Sequence, residues 1–562
     1  MRQWIEEQLG RFEVPGAAVA VVHDGKIVLQ EGFGYRDVEQ QHPVTPDTAF
    51  AIASATKAFT AAGVGALVDD GLLEWEAPVR RYITDFEMFD PVATERLTVR
   101  DLLCHRSGLP RHDTTWYGNI IDDRAAMVAR LRHLKPNKDF RTTWQYNNLM
   151  YITAGYLCEV VTGEPWEALL RTRLFERMGM SSSSFSQDEA AALTPVALPY
   201  AERKGEVVKI PYAPKLVVSG PAGSIYSPLC DMVAWLRTNL NGGRLDDVEV
   251  LSPATVRELQ APQMVMPEAS LYPETRDTAY GLGWFIGNYR GHKLVHHGGN
   301  IDGFTSLVTM LPEDGIGVVY LSNKGATSLR AALSFHVFDE LLGLDAIPWE
   351  DRMRELEVAT KGGAKAAKAL AARVADRPAP HPLSDYAGEY EHPGYGRFDV
   401  ELGDDVLVPR FREVPARLVH RHYDVFDLEL ETAEDAQISA TFRTDAAGDV
   451  DALVIPLEPT VDPIVFARVP DRELTDPSFL SCFEGRYAMG PLTVIVEQAR
   501  PGALTLAVVG QPPTTLLAHR GRTFKFKGNE TVRATFDLDA SGKVERLMLQ
   551  PVGVFLPVDD DA

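Results

Sequence analysis

Cysteine is scarce in this chain: Cys104, Cys158, Cys230 and Cys482 are the only four in 562 residues. No two share the close spacing of a metal or redox motif, and four are too few for a disulfide framework, so free thiols are expected. Positive charge is also in deficit, with 56 Lys and Arg against 79 Asp and Glu and a net charge of −23. Such a chain repels nucleic acid and anionic membrane surfaces, which excludes both as partners. No apolar run approaches the length of a membrane span. The opening Met1-Arg-Gln-Trp-Ile-Glu-Glu-Gln-Leu-Gly10 reads as an amphipathic helix with two glutamates, not as a secretory leader. A cytoplasmic protein is the expectation. The remaining composition, 45% hydrophobic and 24% charged, is that of folded globular protein, and the length calls for two to four domains.

Pro15-Gly16 leads into an apolar run, Ala17–Val22, and His23-Asp-Gly-Lys26 joins it to a second, Ile27–Gln30; an Asp-Gly pair there predicts a hairpin. The section from Leu97 to about Leu240 reads as helices and loops. Strands are expected again near Gly281–Ile286, Lys293–His296, Thr305–Leu311 and Gly317–Leu321, then an amphipathic helix over Leu329–Leu342. Strands at both ends around a helical insert imply an α+β domain: one antiparallel sheet flanked by helices, plus an all-helical subdomain, over residues 1–345. A charged helical linker over 346–383 ends in Arg377-Pro-Ala-Pro-His-Pro382. Beyond it, strand-like alternation dominates and repeats itself. Tyr386-Ala-Gly-Glu-Tyr390 returns as Phe483-Glu-Gly-Arg-Tyr487, and Ala440-Thr-Phe442 with Asp445-Ala-Ala-Gly448 returns as Ala534-Thr-Phe536 with Asp539-Ala-Ser-Gly542. The offset, about 95 residues, predicts two copies of one all-β barrel module, 384–470 and 471–562. Tyr386, Tyr390, Tyr395 and Phe398 read as barrel packing rather than as a ligand cavity.

The chemistry-bearing stretch is Ser54-Ala-Thr-Lys57, at the mouth of an apolar helix. Positions i and i+3 share a helix face, so the Ser54 hydroxyl and the Lys57 amine can meet as nucleophile and base. The first turn also offers unpaired N–H groups to developing negative charge. On its own this spacing is commonplace; its company matters. Tyr146-Asn-Asn148 supplies a phenol able to relay a proton and an amide able to orient the amine. Read alone, it is equally a capped helix start. His296-His-Gly-Gly299 ends a predicted strand, where glycines admit a substrate backbone, the Gly299 N–H can donate to an oxyanion, and His296 can share a proton. Adjacent histidines also suggest a metal, but no acidic or histidine partner stands at ligand spacing, so no metal and no cofactor are expected. His105, in Leu102-Leu-Cys-His-Arg-Ser-Gly-Leu-Pro110, reads as a structural hydrogen-bonder.

In this order, Ser54/Lys57, Tyr146/Asn148 and His296/Gly298 resemble the serine β-lactamase-like, penicillin-recognising hydrolases, most closely the class C branch, over nearly all of residues 1–345. The Gly223-Ser-Ile-Tyr226 turn and His296-His-Gly-Gly-Asn-Ile-Asp-Gly-Phe304 belong to the same resemblance. It implies that Ser54 forms an acyl-enzyme, that Lys57 takes its proton after burial lowers the amine's pKa, and that Tyr146 passes the proton on. It also implies an oxyanion hole from the N–H groups of Ser54 and Gly299, with Asn148, His297 and Gly298 at the substrate. Such sites leave open whether Lys57 or Tyr146 is the operative base. One departure stands out: penicillin-recognising members carry lysine where this chain has His296, which puts recognition of a substrate carboxylate in doubt. The histidine form resembles the D-aminopeptidase and esterase branches, the former with two lipocalin-like barrels after the catalytic domain. The leading reading is therefore a metal-independent peptidase or amidase on short peptides or other small molecules, with D-residues among the candidates. A carboxylesterase follows, then a β-lactamase or DD-peptidase. A non-catalytic scaffold or ligand-binding protein is the reading from another class. The tail implies a role in shaping the cleft or a homo-oligomer.

Overall fold

Asp24-Gly25 makes the turn its dipeptide predicts. Both residues have positive φ, 50° and 73°, as a tight hairpin demands, and they join β1 (Gly16–His23) to β2 (Lys26–Asp37) with His23 opposite Lys26. This computed structural model describes residues 1–118, 121, 123–267, 271–368, 377–411, 415–430 and 437–558. The chain forms two compact units, residues 1–372 with 458–462, and residues 373–457 with 463–562.

The first unit is built on a nine-stranded antiparallel sheet. β3 (Thr275–Tyr280), β4 (Phe285–Tyr289), β5 (His292–Ile301), β6 (Phe304–Leu311) and β7 (Ile316–Ser322) run as a meander, and β7 pairs with β1 so that Ala17 faces Ser322. Both ends of the domain thus build one sheet, which short strands Met264–Val265 and His42–Pro43 finish at its edges. β1 and β7 are buried on both faces, hence their unbroken apolar sequences. One expected strand, Gly281–Ile286, lies elsewhere. Gly281-Leu-Gly-Trp284 is the bend between β3 and β4, because Gly283 takes φ 81° and a Cβ there would stand 3.0 Å from the Lys57 carbonyl oxygen.

Helix α1 (Arg2–Arg11) and the helix at Leu329–Leu342, which the apolar pattern placed over the same residues, cover one sheet face. Ile5, Leu9 and Phe12 meet Leu329, Leu333 and Phe338 over Val19, Val21 and Tyr320, each fully buried aliphatic or aromatic side chain contributing roughly 1.5–3 kcal/mol. The other face takes Leu229–Leu240, whose Leu236 packs where Gly317 leaves no Cβ. Helix α2 (Thr56–Asp69) is buried on nearly every side and packs against α3 (Asn148–Thr162) of the helical subdomain.

The second unit holds two closed eight-stranded antiparallel barrels, from Gly388–His392 to Ile464–Arg468 and from Gly485–Met489 to Gly553–Val558. The sequence repeat is a repeat of contacts. Tyr390 donates to the Tyr386 carbonyl at 2.8 Å and Tyr487 to the Phe483 carbonyl at 2.7 Å. The Asp445 and Asp539 turns match as well, Gly448 and Gly542 each donating to the aspartate carbonyl at 3.0 Å. Tyr386, Tyr390, Tyr395 and Phe398 are buried in the first barrel. Of the expected linker, Trp349–Lys368 is helical and 369–376 lie outside the described residues. Among the described residues no helix is long and apolar enough to cross a membrane.

Candidate active site

Ser54 sits in a single 3₁₀ turn, Ala53–Ala55, that feeds α2. Ala53 holds φ 47°, a left-handed conformation that costs a side-chain-bearing residue about 1–2 kcal/mol. Its surroundings enforce it: the Ile52 N–H donates to Ile225 O at 2.9 Å and Ile52 O accepts from Ser306 Oγ at 2.6 Å. Gly299, opposite Ser306 in the β5–β6 register, lies so close that a Cβ would stand 2.1 Å from Ile52 O and 2.8 Å from Ser54 N. The backbone of Ser54 and that of Gly299 are therefore brought together.

One turn further, Lys57 Nζ lies 3.2 Å from Ser54 Oγ, 2.7 Å from Asn148 Oδ1 and 2.8 Å from Ala222 O. Two of these neighbours, the Asn148 and Ala222 oxygens, can only accept. A neutral amine has two hydrogens for them and a lone pair left for the third neighbour, so Ser54 Oγ–H can donate to it. Burial draws the Lys57 pKa well below the ordinary lysine range; the Arg111 charge lowers it further and Asp113 opposes. The Tyr146 ring lies 4.8 Å from Nζ, and Tyr146 and Ser54 line the same pocket. Burial raises the phenol's pKa, with the Ser54 hydroxyl and the Arg111 charge pulling the other way, so it keeps its proton at neutral pH.

Two asparagines divide the work at the start of α3. Asn147 is the cap, its Oδ1 accepting from Met150 N at 3.0 Å. That leaves Asn148 to face inward, with Oδ1 on Lys57 and Nδ2 donating to Asp113 Oδ1 at 2.8 Å. Both ends of the Asn148 amide are thus engaged inside the protein.

Both histidines line the pocket, each against different neighbours. It is His297, not His296, whose ring lies near Tyr146, at 6.4 Å, and whose pKa feels the Lys57 charge. His297 Nδ1 faces Gly298 O at 2.8 Å, so it carries the hydrogen, and Nε2 accepts from Tyr280 Oη at 2.9 Å. Both nitrogens are committed, and burial holds the ring neutral. His296 instead stacks on Phe285 at 5.2 Å, on the pocket wall, with its pKa pushed down to about 4 by burial and then by Arg330. The alternation of β5 is the reason: adjacent residues point to opposite faces. His105 is the structural residue its setting suggested, Nδ1 accepting from Asn147 N at 3.0 Å and its ring 4.5 Å from Tyr146.

The resulting pocket encloses about 550 Å³. Ser54, Tyr146, His296, His297 and Gly298 line it, as do Trp144, Phe285, Arg111 and Arg330, which the motifs did not single out. Asp113 and Arg111 follow the Leu-Pro turn directly, and that proximity was the available signal; for Arg330 there was none. Arg111 pairs with Asp113 and lies over the Tyr146 ring at 5.0 Å.

Residues 1–340 match the family described as Beta-lactamase, and residues 372–468 match a domain of unknown function, DUF3471. The unguisins hydrolase ungD' of Aspergillus campestris is 33% identical over 423 residues, 70% of this chain and 76% of that protein. Protein flp of Staphylococcus aureus is 28% identical over 326 residues, 57% of this chain and 61% of that protein. In fold, the octameric penicillin-binding protein homologue from Pyrococcus abyssi superposes with a TM-score of 0.55 at 22% identity, over 83% of this chain and 98% of that one.

Proposed function

Because the chain belongs to the beta-lactamase family of serine hydrolases, we propose that it cleaves amide bonds in short peptides or amino-acid amides through an acyl-enzyme on Ser54. The observation that carries this reading is the Lys57 amine, buried, without a hydrogen-bonded carboxylate among the described residues and 3.2 Å from the Ser54 hydroxyl. Ser54 Oγ attacks the carbonyl carbon while its proton passes to Lys57 Nζ. The carbonyl oxygen takes up negative charge beside the N–H groups of Ser54 and Gly299. Tyr146 gives its phenolic proton to the departing amine and is reprotonated from Lys57; water then repeats the sequence on the ester. An amide nitrogen leaves only when protonated, and a phenol that keeps its proton in the pocket Ser54 lines can supply it. Lys57 is the base in this scheme, since Tyr146 holds its proton. His297 sets the position of the neighbouring groups rather than exchanging protons.

The name of the A. campestris relative, a hydrolase acting on unguisins, is in keeping with this class. The same machinery opens esters, so the substrate is decided by assay. A fluorophosphonate probe is expected to label the protein, and labelling is expected to vanish in Ser54→Ala and Lys57→Met. Matched D- and L-aminoacyl amides, p-nitrophenyl esters and nitrocefin then separate amidase, esterase and β-lactamase. Turnover of esters alone would replace the amidase reading, and labelling that survives Ser54→Ala would end the acyl-enzyme reading. A homo-oligomer, proposed on the same footing, is checked by sedimentation of the full chain.

A further inference from the structure

The first unit takes in one short piece from far along the sequence, Glu458–Asp462, which connects strands Val450–Ile455 and Ile464–Arg468. Glu458 is 6% exposed, and its Oε2 accepts from the His112 N–H at 3.0 Å, across 346 positions of sequence. Its Oε1 accepts from Thr460 N at 3.2 Å and from Thr460 Oγ1 at 2.6 Å. Burial opposes the carboxylate charge, but the bonds from Thr460 and His112 outweigh it and keep the group ionised. His112 makes demands of its own. It is buried, and its backbone is left-handed, φ 45°, a conformation that a residue with a side chain keeps only where its surroundings impose it. The His112 carbonyl accepts from Thr115 N at 2.9 Å and Thr115 Oγ1 at 2.7 Å, and its ring Nε2 donates to Lys135 O at 3.0 Å. Removing Glu458 takes the acceptor from a buried backbone N–H in the middle of this turn.

His112 stands between two residues that reach the reacting groups. Arg111 lies over the Tyr146 ring at 5.0 Å. Asp113 Oδ1 accepts from Asn148 Nδ2 at 2.8 Å, and the Oδ1 of the same amide accepts from Lys57 Nζ at 2.7 Å. The charges of Arg111 and Asp113 both act on the Lys57 amine, in opposite directions. A turn of the backbone at His112 would move both at once. We propose that Glu458 is a positioning residue for the Ser54 site: by holding His112 in its left-handed turn, it sets Arg111 against Tyr146 and Asp113 against Asn148, and through Asn148 it steadies Lys57. The inference rests on the acyl-enzyme reading and deepens it. It also makes one residue from outside the 1–340 stretch that matches the hydrolase family a requirement for full reactivity at Ser54.

The test separates positioning from stability. Fluorophosphonate labelling rates and Tm are measured on the full chain for wild type, Glu458→Ala, Glu458→Gln, Asp113→Ala and the double variant that combines Glu458→Ala with Asp113→Ala. Glu458→Ala should label about ten- to a hundredfold more slowly. Glu458→Gln, which keeps an oxygen for the His112 N–H, should recover most of the rate. The double variant should label no more slowly than Asp113→Ala alone, because both losses run through one route. Losses that multiply instead, or a Glu458→Ala protein that labels at the wild-type rate with only its Tm lowered, would overturn the inference. Should Glu458→Ala not fold, Thr460→Val, which loosens Oε1 alone, decides: slower labelling upholds the inference and the wild-type rate ends it. If the wild-type protein takes no label, the acyl-enzyme reading falls, and amide hydrogen exchange still decides the positioning. Faster exchange over residues 109–117 and 146–150 in Glu458→Ala supports it, and unchanged exchange refutes it.

Discussion

Replacing Gly299 with alanine perturbs the nucleophile without touching any side chain that does chemistry. The new methyl would sit 2.1 Å from Ile52 O, 2.8 Å from Ser54 N and 2.8 Å from Ser306 Oγ. Two of these are backbone atoms of the strained turn that presents Ser54, so relief requires strand and turn to part by about 1 Å, a displacement able to cost about a hundredfold in rate. It also breaks the 2.6 Å hydrogen bond from Ser306 Oγ to Ile52 O that holds Ala53 left-handed. Overpacking of this kind destabilises by about 1–3 kcal/mol. The assay compares kcat/KM, fluorophosphonate labelling rate and Tm with those of Gly298→Ala, the adjacent position. There the closest atom is the end of the Arg330 side chain, at 2.9 Å, which can yield more easily. Gly299→Ala should lose about a hundredfold in labelling, and Gly298→Ala far less. Equal labelling by the two variants would refute the view that Gly299 is there to admit the Ser54 turn.

Tyr146→Phe should lower amide turnover by about a hundred- to ten-thousandfold. It should lower p-nitrophenyl ester turnover less, since nitrophenolate departs without a proton; an equal loss on both removes the phenol from leaving-group protonation. Acid sensitivity follows from the buried histidines. His296 has a folded pKa of about 4 against an ordinary 6.5, so between these values the unfolded chain binds a proton that the folded chain does not. Stability is full above about pH 6.5 and falls as pH drops toward about 4, His296 accounting for at most about 3 kcal/mol. His105 and His297, also lowered by burial, add to the same trend. Urea midpoints near pH 7.5, 6 and 5 should fall in that order, with a shallower decline in His296→Gln; a pH-independent midpoint would contradict the burial of these rings.

Local patterns carried the fold where one residue pair decides a conformation or a period repeats. Asp24-Gly25, the apolar spacing over Leu329–Leu342 and the duplicated tail are of this kind. Gly281–Ile286 misled because its first four residues form a bend shaped by contact with α2, and only Phe285 and Ile286 belong to a strand. In the site, Ser54, Lys57, Tyr146 and Asn148 were legible as motifs, since two sit one helical turn apart and the others mark a helix start. The pair His296-His297 was legible as a unit but not as two directions, because the strand's phase is set by its neighbours. Arg330 lies 33 positions beyond His297 on a helix whose other residues are ordinary core, so only the tertiary fold brings it to the pocket.

The order of strands also bears on how the chain is made. β1 leaves the ribosome well before β7, and one of its edges waits for that strand, about 300 residues later, where Ala17 finally meets Ser322. Throughout that interval a seven-residue run of small and apolar side chains, Gly16–Val22, has an open hydrogen-bonding edge. An unpaired apolar edge of this kind favours association between nascent chains, a vulnerability that ends when β7 arrives.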